Sequence, residues 1–245
     1  WRDGKHAPDK GTFTYPNWAR QTIRVGREIT PDDVRVKVSS NASAARVRAI
    51  AVTSPKSEEE FVLSVRDGIV MPDPEAGISS IVVIDRHKAS GRIGKGFVSK
   101  LFVKRGAIAS TVSHDAHNLM VIGADNEDMA VAANRVIANQ GGYALVLDGE
   151  VIFELPLPIA GLLTDKPLEE VAAQTRAMID VLSDRLGAPR MQKVLLRMNG
   201  LSLPNIPNYG FTDFGMMSAT ELVSLEPVLA EGSPDELHSG CMHDH

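Results

Sequence analysis

The order of apolar and polar positions divides the chain into a strand-rich first half and a mixed second half. Val34, Val36 and Val38 alternate with Arg35 and Lys37, the period-two signature of a half-buried strand. Val47, Ala49 and Ala51 repeat the alternation around Arg48, and Phe61, Leu63 and Val65 predict a third strand ending at Asp67-Gly68. Ile81-Val82-Val83-Ile84 is apolar on both faces and reads as a central strand. Ahead of these, Ile29-Thr30-Pro31-Asp32-Asp33 predicts a tight turn or one helical turn, capped by Thr30 with Pro31 at its first position.

The middle of the chain is patterned more strongly. Gly106 to Val112 is small and apolar, and Leu119 to Gly123 is a second buried strand. A helix follows, with Asp125 as N-cap, Asp128 in its first turn, and Met129, Ala132, Ala133, Val136 and Ile137 on one face. Gly141-Gly142 ends it. Tyr143 to Leu147, the turn Asp148-Gly149 and Val151 to Phe153 predict a hairpin. A second helix starts near Thr164 or Asp165, carries Leu168, Val171, Ala172, Thr175, Ile179, Leu182 and Leu186 on one face, and stops at Gly187. A short helix is expected over 190–198 and a rigid extended segment over 203–208, where each proline pushes its predecessor out of the helical region. Strands mixed with two or three helices, without a regular βαβ rhythm, predict an α+β fold of mixed or antiparallel sheets.

Composition narrows the function classes. Of 245 residues, 26 are Lys or Arg and 31 are Asp or Glu, a net charge of -5 that argues against a surface for nucleic acid. The longest nearly apolar stretch, Leu155 to Leu163, contains two prolines and is too short to span a membrane. The single cysteine, Cys241, cannot form an internal disulfide, which fits a reducing compartment. Residues 1–50 carry ten basic and five acidic side chains, whereas 198–245 carry seven acidic and no Lys or Arg. Trp1-Arg2-Asp3-Gly4-Lys5 has no initiator Met or signal core and is expected to lie inside a longer protein.

Two polar clusters interrupt the apolar strands. Ser113, His114, Asp115, His117 and Asn118 follow the small apolar run, and ionisable or amide groups are costly to bury there unless paired. A helix would place His114 and His117 on one face, and an extended chain would place them on opposite faces. The cluster is open to three readings: a hydrogen-bonded turn, a substrate-facing edge, or a metal site. The second cluster is Asp85-Arg86-His87-Lys88 with Gly91, Gly94 and Gly96 behind it. Its glycines match neither nucleotide-phosphate pattern, so a flexible or tightly turned loop is expected. His243-Asp244-His245 has no scaffold around it to preform a metal site.

Six runs carry a resemblance: Ile84 to Lys88, Ile93 to Val98, Lys104 to Ser110, Val112-Ser-His-Asp-Ala-His-Asn118, Asp125 to Ala130 and Leu155-Pro-Leu-Pro-Ile-Ala-Gly161. Together they resemble the C-terminal region of the bacterial and archaeal adenine deaminases of the amidohydrolase superfamily. The likeness extends more loosely from about Val25 to Pro207. It implies that residues 1–24 end a preceding small β-domain and that 25–228 form the α+β domain, while the polar, acidic and Gly/Pro-bearing composition of 229–245 predicts a flexible tail.

The resemblance further implies a cytoplasmic, homo-oligomeric enzyme that hydrolyses adenine to hypoxanthine and ammonia. Its divalent metal ions (manganese or iron, with zinc as the alternative) are bound by a barrel outside this chain, and none is expected here. Neither nucleic acid nor membrane is an expected partner. His114, Asp115, His117 and Asn118, with Arg86 and His87, would face the barrel mouth and help shape the purine site. The alternatives are a non-catalytic purine-binding or oligomerisation module, and a paralogue acting on another purine-like heterocycle.

Overall fold

The computed structural model describes residues 14–101, 103–188, 194–206 and 208–239. In chain order, α1 (Pro31–Val34) is followed by β1 (Ala44–Ala51), β2 (Ser57–Arg66), β3 (Ile69–Val70), β4 (Ile78–Ile84), β5 (Ile93–Ser99), β6 (Ala107–Ser110) and β7 (Leu119–Gly123). Then come α2 (Asn126–Ala138), β8 (Gly142–Leu147), β9 (Glu150–Pro156), α3 (Leu168–Leu186) and α4 (Val194–Asn199). β10 (Tyr209–Thr212), β11 (Gly215–Ser218), β12 (Val223–Leu225), β13 (Val228–Gly232) and α5 (Pro234–Ser239) complete the described residues.

Ten strands form one sheet in the order β3-β2-β1-β5-β4-β7-β6-β8-β9, with β13 also paired to β1. Only the β1–β5 pair is parallel. The α+β expectation holds. Alternation along the central strands sends side chains to two cores. Ile81, Val83, Ile108, Met120, Ile122 and Leu145 face α3, α4 and the β10–β11 hairpin. Val82, Ile84, Ala107, Ala109, Leu119 and Val121 face α2 and the incoming segment at Ile23, Val25 and Ile29. The small residues of β6 let α2 approach closely.

The helix α2 starts as predicted: the Asp125 carboxylate accepts from the Asp128 N–H at 2.9 Å. Asp128 then does more than face the helix dipole. Its carboxylate accepts the backbone N–H groups of Asp148 (3.1 Å) and Gly149 (2.7 Å), fixing the tip of the predicted β8–β9 hairpin. Asp148 and Gly149 both have positive φ, the backbone that a two-residue hairpin turn requires. Burial raises the Asp128 carboxyl above the usual aspartate value.

Several expectations fail, each for a tertiary reason. The alternation at 34–38 is not a strand: Val34 ends α1 and only Lys37 makes an isolated bridge, to Ile69. Val36 is nonetheless buried, inserted into the third apolar cluster under β1 and β2. The alternative of one helical turn capped by Thr30 is right, with a reciprocal Thr30–Asp33 capping box. The expected glycine loop at 91–96 is largely strand β5, because Gly94 and Gly96 leave space for the hairpin that crosses them. A Cβ on Gly94 would sit 2.1 Å from the Thr212 carbonyl, and one on Gly96 2.9 Å from the Phe211 ring. The helix α3 begins at Leu168, which is 77% exposed, and buries only Met178, Leu182 and Leu186. Of the stretch expected as a tail, Val228–Gly232 pairs with β1 and Pro234–Ser239 is helical. Trp1 to Lys5, Cys241 and the His243–His245 pair lie outside the described residues.

Candidate functional site

Antiparallel pairing of β4 with β7 sets Ile84 opposite Leu119, so the two polar clusters meet at one edge of the sheet. Where β4 ends, the Asp85 carboxylate closes a turn, accepting the His87 N–H (3.0 Å) and both the N–H and hydroxyl of Ser90 (3.3 and 2.5 Å). Burial alone would raise its pKa, but the bonds from Ser90 and the neighbouring N–H groups outweigh that and lower it.

Arg86 turns inward and is 2% exposed. Its guanidinium donates to the carbonyl of His117, to the Ala160 carbonyl (3.1 Å) and to the Thr22 hydroxyl (3.3 Å). All three acceptors are neutral, and burial pushes its pKa down to about 10. Arg86 therefore ties three segments together, with its guanidinium against Gly161. His87 is exposed and donates through Nε2 to the Ala116 carbonyl at 2.7 Å.

The 113–118 segment is neither helix nor strand. The His117 N–H returns to the Ser113 carbonyl at 2.7 Å, and His117 itself has φ of 51°. This tight turn carries the two imidazoles to the same side, with ring centroids 5.2 Å apart and edge to face. Burial, the neighbouring His114 and the Arg86 cation lower the His117 pKa, which favours the neutral ring. Its Nδ1 is buried without a hydrogen-bond partner among the described residues. Ser113 donates to the Ser202 hydroxyl (2.6 Å), which donates to the His114 carbonyl (2.5 Å). The turn is thus held through its backbone, while Asp115 is exposed.

Asn118 is the hinge to residues that no local sequence signal placed here. Its Oδ1 accepts from the Arg86 N–H (3.4 Å) and its Nδ2 donates to Asp213 (3.1 Å). Asp213 also pairs with Arg92 at 2.7 Å, and the Arg92 guanidinium lies 4.5 Å from the centre of the Phe214 ring. Asp213 and Phe214 form the tip between β10 and β11. The Thr-Asp-Phe-Gly composition marks a turn, but only folding brings that tip to Asn118.

Between the turn and the hairpin opens a cavity of about 470 Å³. Val83, Phe211 and Met217 line its apolar part, while Asp115, Asn118 and Asp213 supply acceptors and one amide. Such a wall can stack a flat ring and exchange hydrogen bonds with its edge. Among the described residues no three His, Cys, Asp or Glu side chains form a group that could hold a metal ion. No helix among those residues is long and apolar enough to cross a membrane.

Fold and site together define a layered α+β domain that presents a hydrogen-bonding wall beside an apolar cavity. The chain belongs to the adenine deaminase C-terminal domain family, which matches residues 53–222. It is 35% identical over 224 residues to an adenine deaminase of Moorella thermoacetica, covering 89% of this chain and 37% of that protein. It is 38% identical over 208 residues to an adenine deaminase of Clostridium botulinum, covering 82% of this chain and 34% of that protein. For an adenine deaminase of Brucella abortus the identity is 41% over 181 residues, covering 73% of this chain and 31% of that protein. The chain spans about a third of the length of these relatives.

Proposed function

We propose that the chain is the C-terminal region of a metal-dependent adenine deaminase and forms one wall of its purine site. In this reading the divalent metal ions belong to a barrel outside the chain, in a cytoplasmic homo-oligomer, and no step at the metal falls to the residues described. The wall's work is to exclude water and orient the ring. The observation that carries the reading is the juxtaposition of the 113–118 turn with an apolar cavity rimmed by Asp115, Asn118 and Asp213. A neutral aminopurine has a flat face for the apolar part and N–H donors for the carboxylates.

Asp115 suits a test because it lines the cavity and is exposed, whereas His114 and His117 sit on the same turn without lining it. In the whole enzyme, Asp115→Ala should lower kcat/KM for adenine by about tenfold or more. The thermal midpoint should shift by no more than about 4 °C, as expected when a side chain outside the core is lost. Large destabilisation with unchanged activity per folded molecule would overturn the proposal.

A further inference from the structure

Behind the wall of the candidate site lies a second cavity, of about 380 Å³. The segment 200–206 separates the two: Ser202 and Pro204 line the first cavity, and Gly200, Leu203 and Ile206 line the second. Its other side is the turn from Val52 to Lys56 at the start of β2, and Leu196 and Arg197 of α4 complete it.

Lys56 is 8% exposed, and its ammonium donates to the Gly200 and Leu203 carbonyls at 3.1 and 3.0 Å. An ammonium has three N–H donors, so these two bonds leave one. Burial pushes its pKa down from 10.5 to about 8, with no carboxylate acting to restore it. Among the described residues neither Lys56 nor Arg197 makes an ion pair. Among the described residues the cavity lining holds both cations and no Asp or Glu, while Val52, Pro55, Leu196 and Ile206 supply apolar surface.

Capping of the carbonyls that end the turn after α4 accounts for two of the Lys56 donors. It does not account for a second cation in a lining without acids, or for a buried charge left without a counter-charge. We propose that this cavity is an oxyanion-binding site, in which Lys56 and Arg197 hold the phosphate or carboxylate group of a small molecule whose remainder rests on the apolar wall. The site stands independently of the adenine deaminase reading.

The test is calorimetric titration of the whole protein, at constant ionic strength, with inorganic phosphate in one arm and hexanoate in the other. Saturable one-to-one binding of either probe at millimolar concentration is expected. Phosphate alone identifies a phosphate-bearing ligand, and hexanoate alone a carboxylate with an apolar tail. Arg197 is exposed, so Arg197→Ala should keep the ligand-free thermal midpoint and weaken the bound probe by about tenfold, the weight of one charge-assisted hydrogen bond. Arg197→Lys should restore part of that loss. Lys56→Gln should abolish binding, and should it fail to fold, the Arg197 pair decides alone. Absence of saturable binding in both arms, or equal affinity in Arg197→Ala, overturns the proposal and leaves Lys56 as a cap.

Discussion

Replacing Arg86 tests whether the buried guanidinium is a structural latch or a substrate contact. In Arg86→Met the three bonds to His117, Ala160 and Thr22 vanish, leaving two half-buried carbonyls without this donor. Hydrogen bonds to a charged group contribute about 1.5–3 kcal/mol each. Against that stands relief from burying a cation whose pKa has fallen from 12.5 to about 10, which offsets about 3 kcal/mol. The expected net loss is about 2–5 kcal/mol, read from urea unfolding of the whole protein by linear extrapolation. Hydrogen exchange should quicken at 113–118 and 159–161, the segments that Arg86 joins. Arg86→Lys should lose at least as much, because it keeps the buried charge and gives up the planar fork that reaches several acceptors. Arg86→Met within about 0.5 kcal/mol of wild type, with unchanged exchange at both segments and reduced activity, would refute the latch and make Arg86 a substrate contact.

Two further outcomes follow from backbone and charge. At Gly142, φ is +110° and a Cβ would lie 2.0 Å from the Leu155 carbonyl, so Gly142→Ala should cost about 2–5 kcal/mol in urea unfolding. Gly149→Ala is the control: φ is +79° with nothing within 4 Å, so only backbone strain of about 1–2 kcal/mol is expected, and equal losses would contradict this account. Lys56 has a folded pKa of about 8 beneath its ordinary 10.5, so between those values the unfolded chain binds more protons and stability rises with pH. Its destabilising contribution is fully present below about pH 8 and lifts by roughly 3 kcal/mol as pH climbs to 10.5. Unfolding curves of wild type and Lys56→Met in anion-free buffer across that range should converge, and parallel curves would count against the burial.

The central strands, α2 with its Asp125 cap and the Asp148-Gly149 hairpin follow from periodicity and turn chemistry, which act between neighbours in sequence. So do the two polar clusters at strand ends, since ionisable groups breaking an apolar run stand out without any fold. Their meeting was not legible, because strand register alone sets Ile84 opposite Leu119. Nor was the inward turn of Arg86, which takes acceptors from residues 22, 117 and 160. Val34 to Val38 shows the opposite failure: alternation marks which side chains are buried, but a strand also needs a partner for its backbone, and that segment has one bridge. Asp213, Phe214 and Ser202 have unremarkable local contexts and reach the site only because the β10–β11 hairpin and the turn after α4 fold over it. Local propensity wrote most elements into the chain, while long-range packing decided which polar groups share a cavity and which charge goes without a partner.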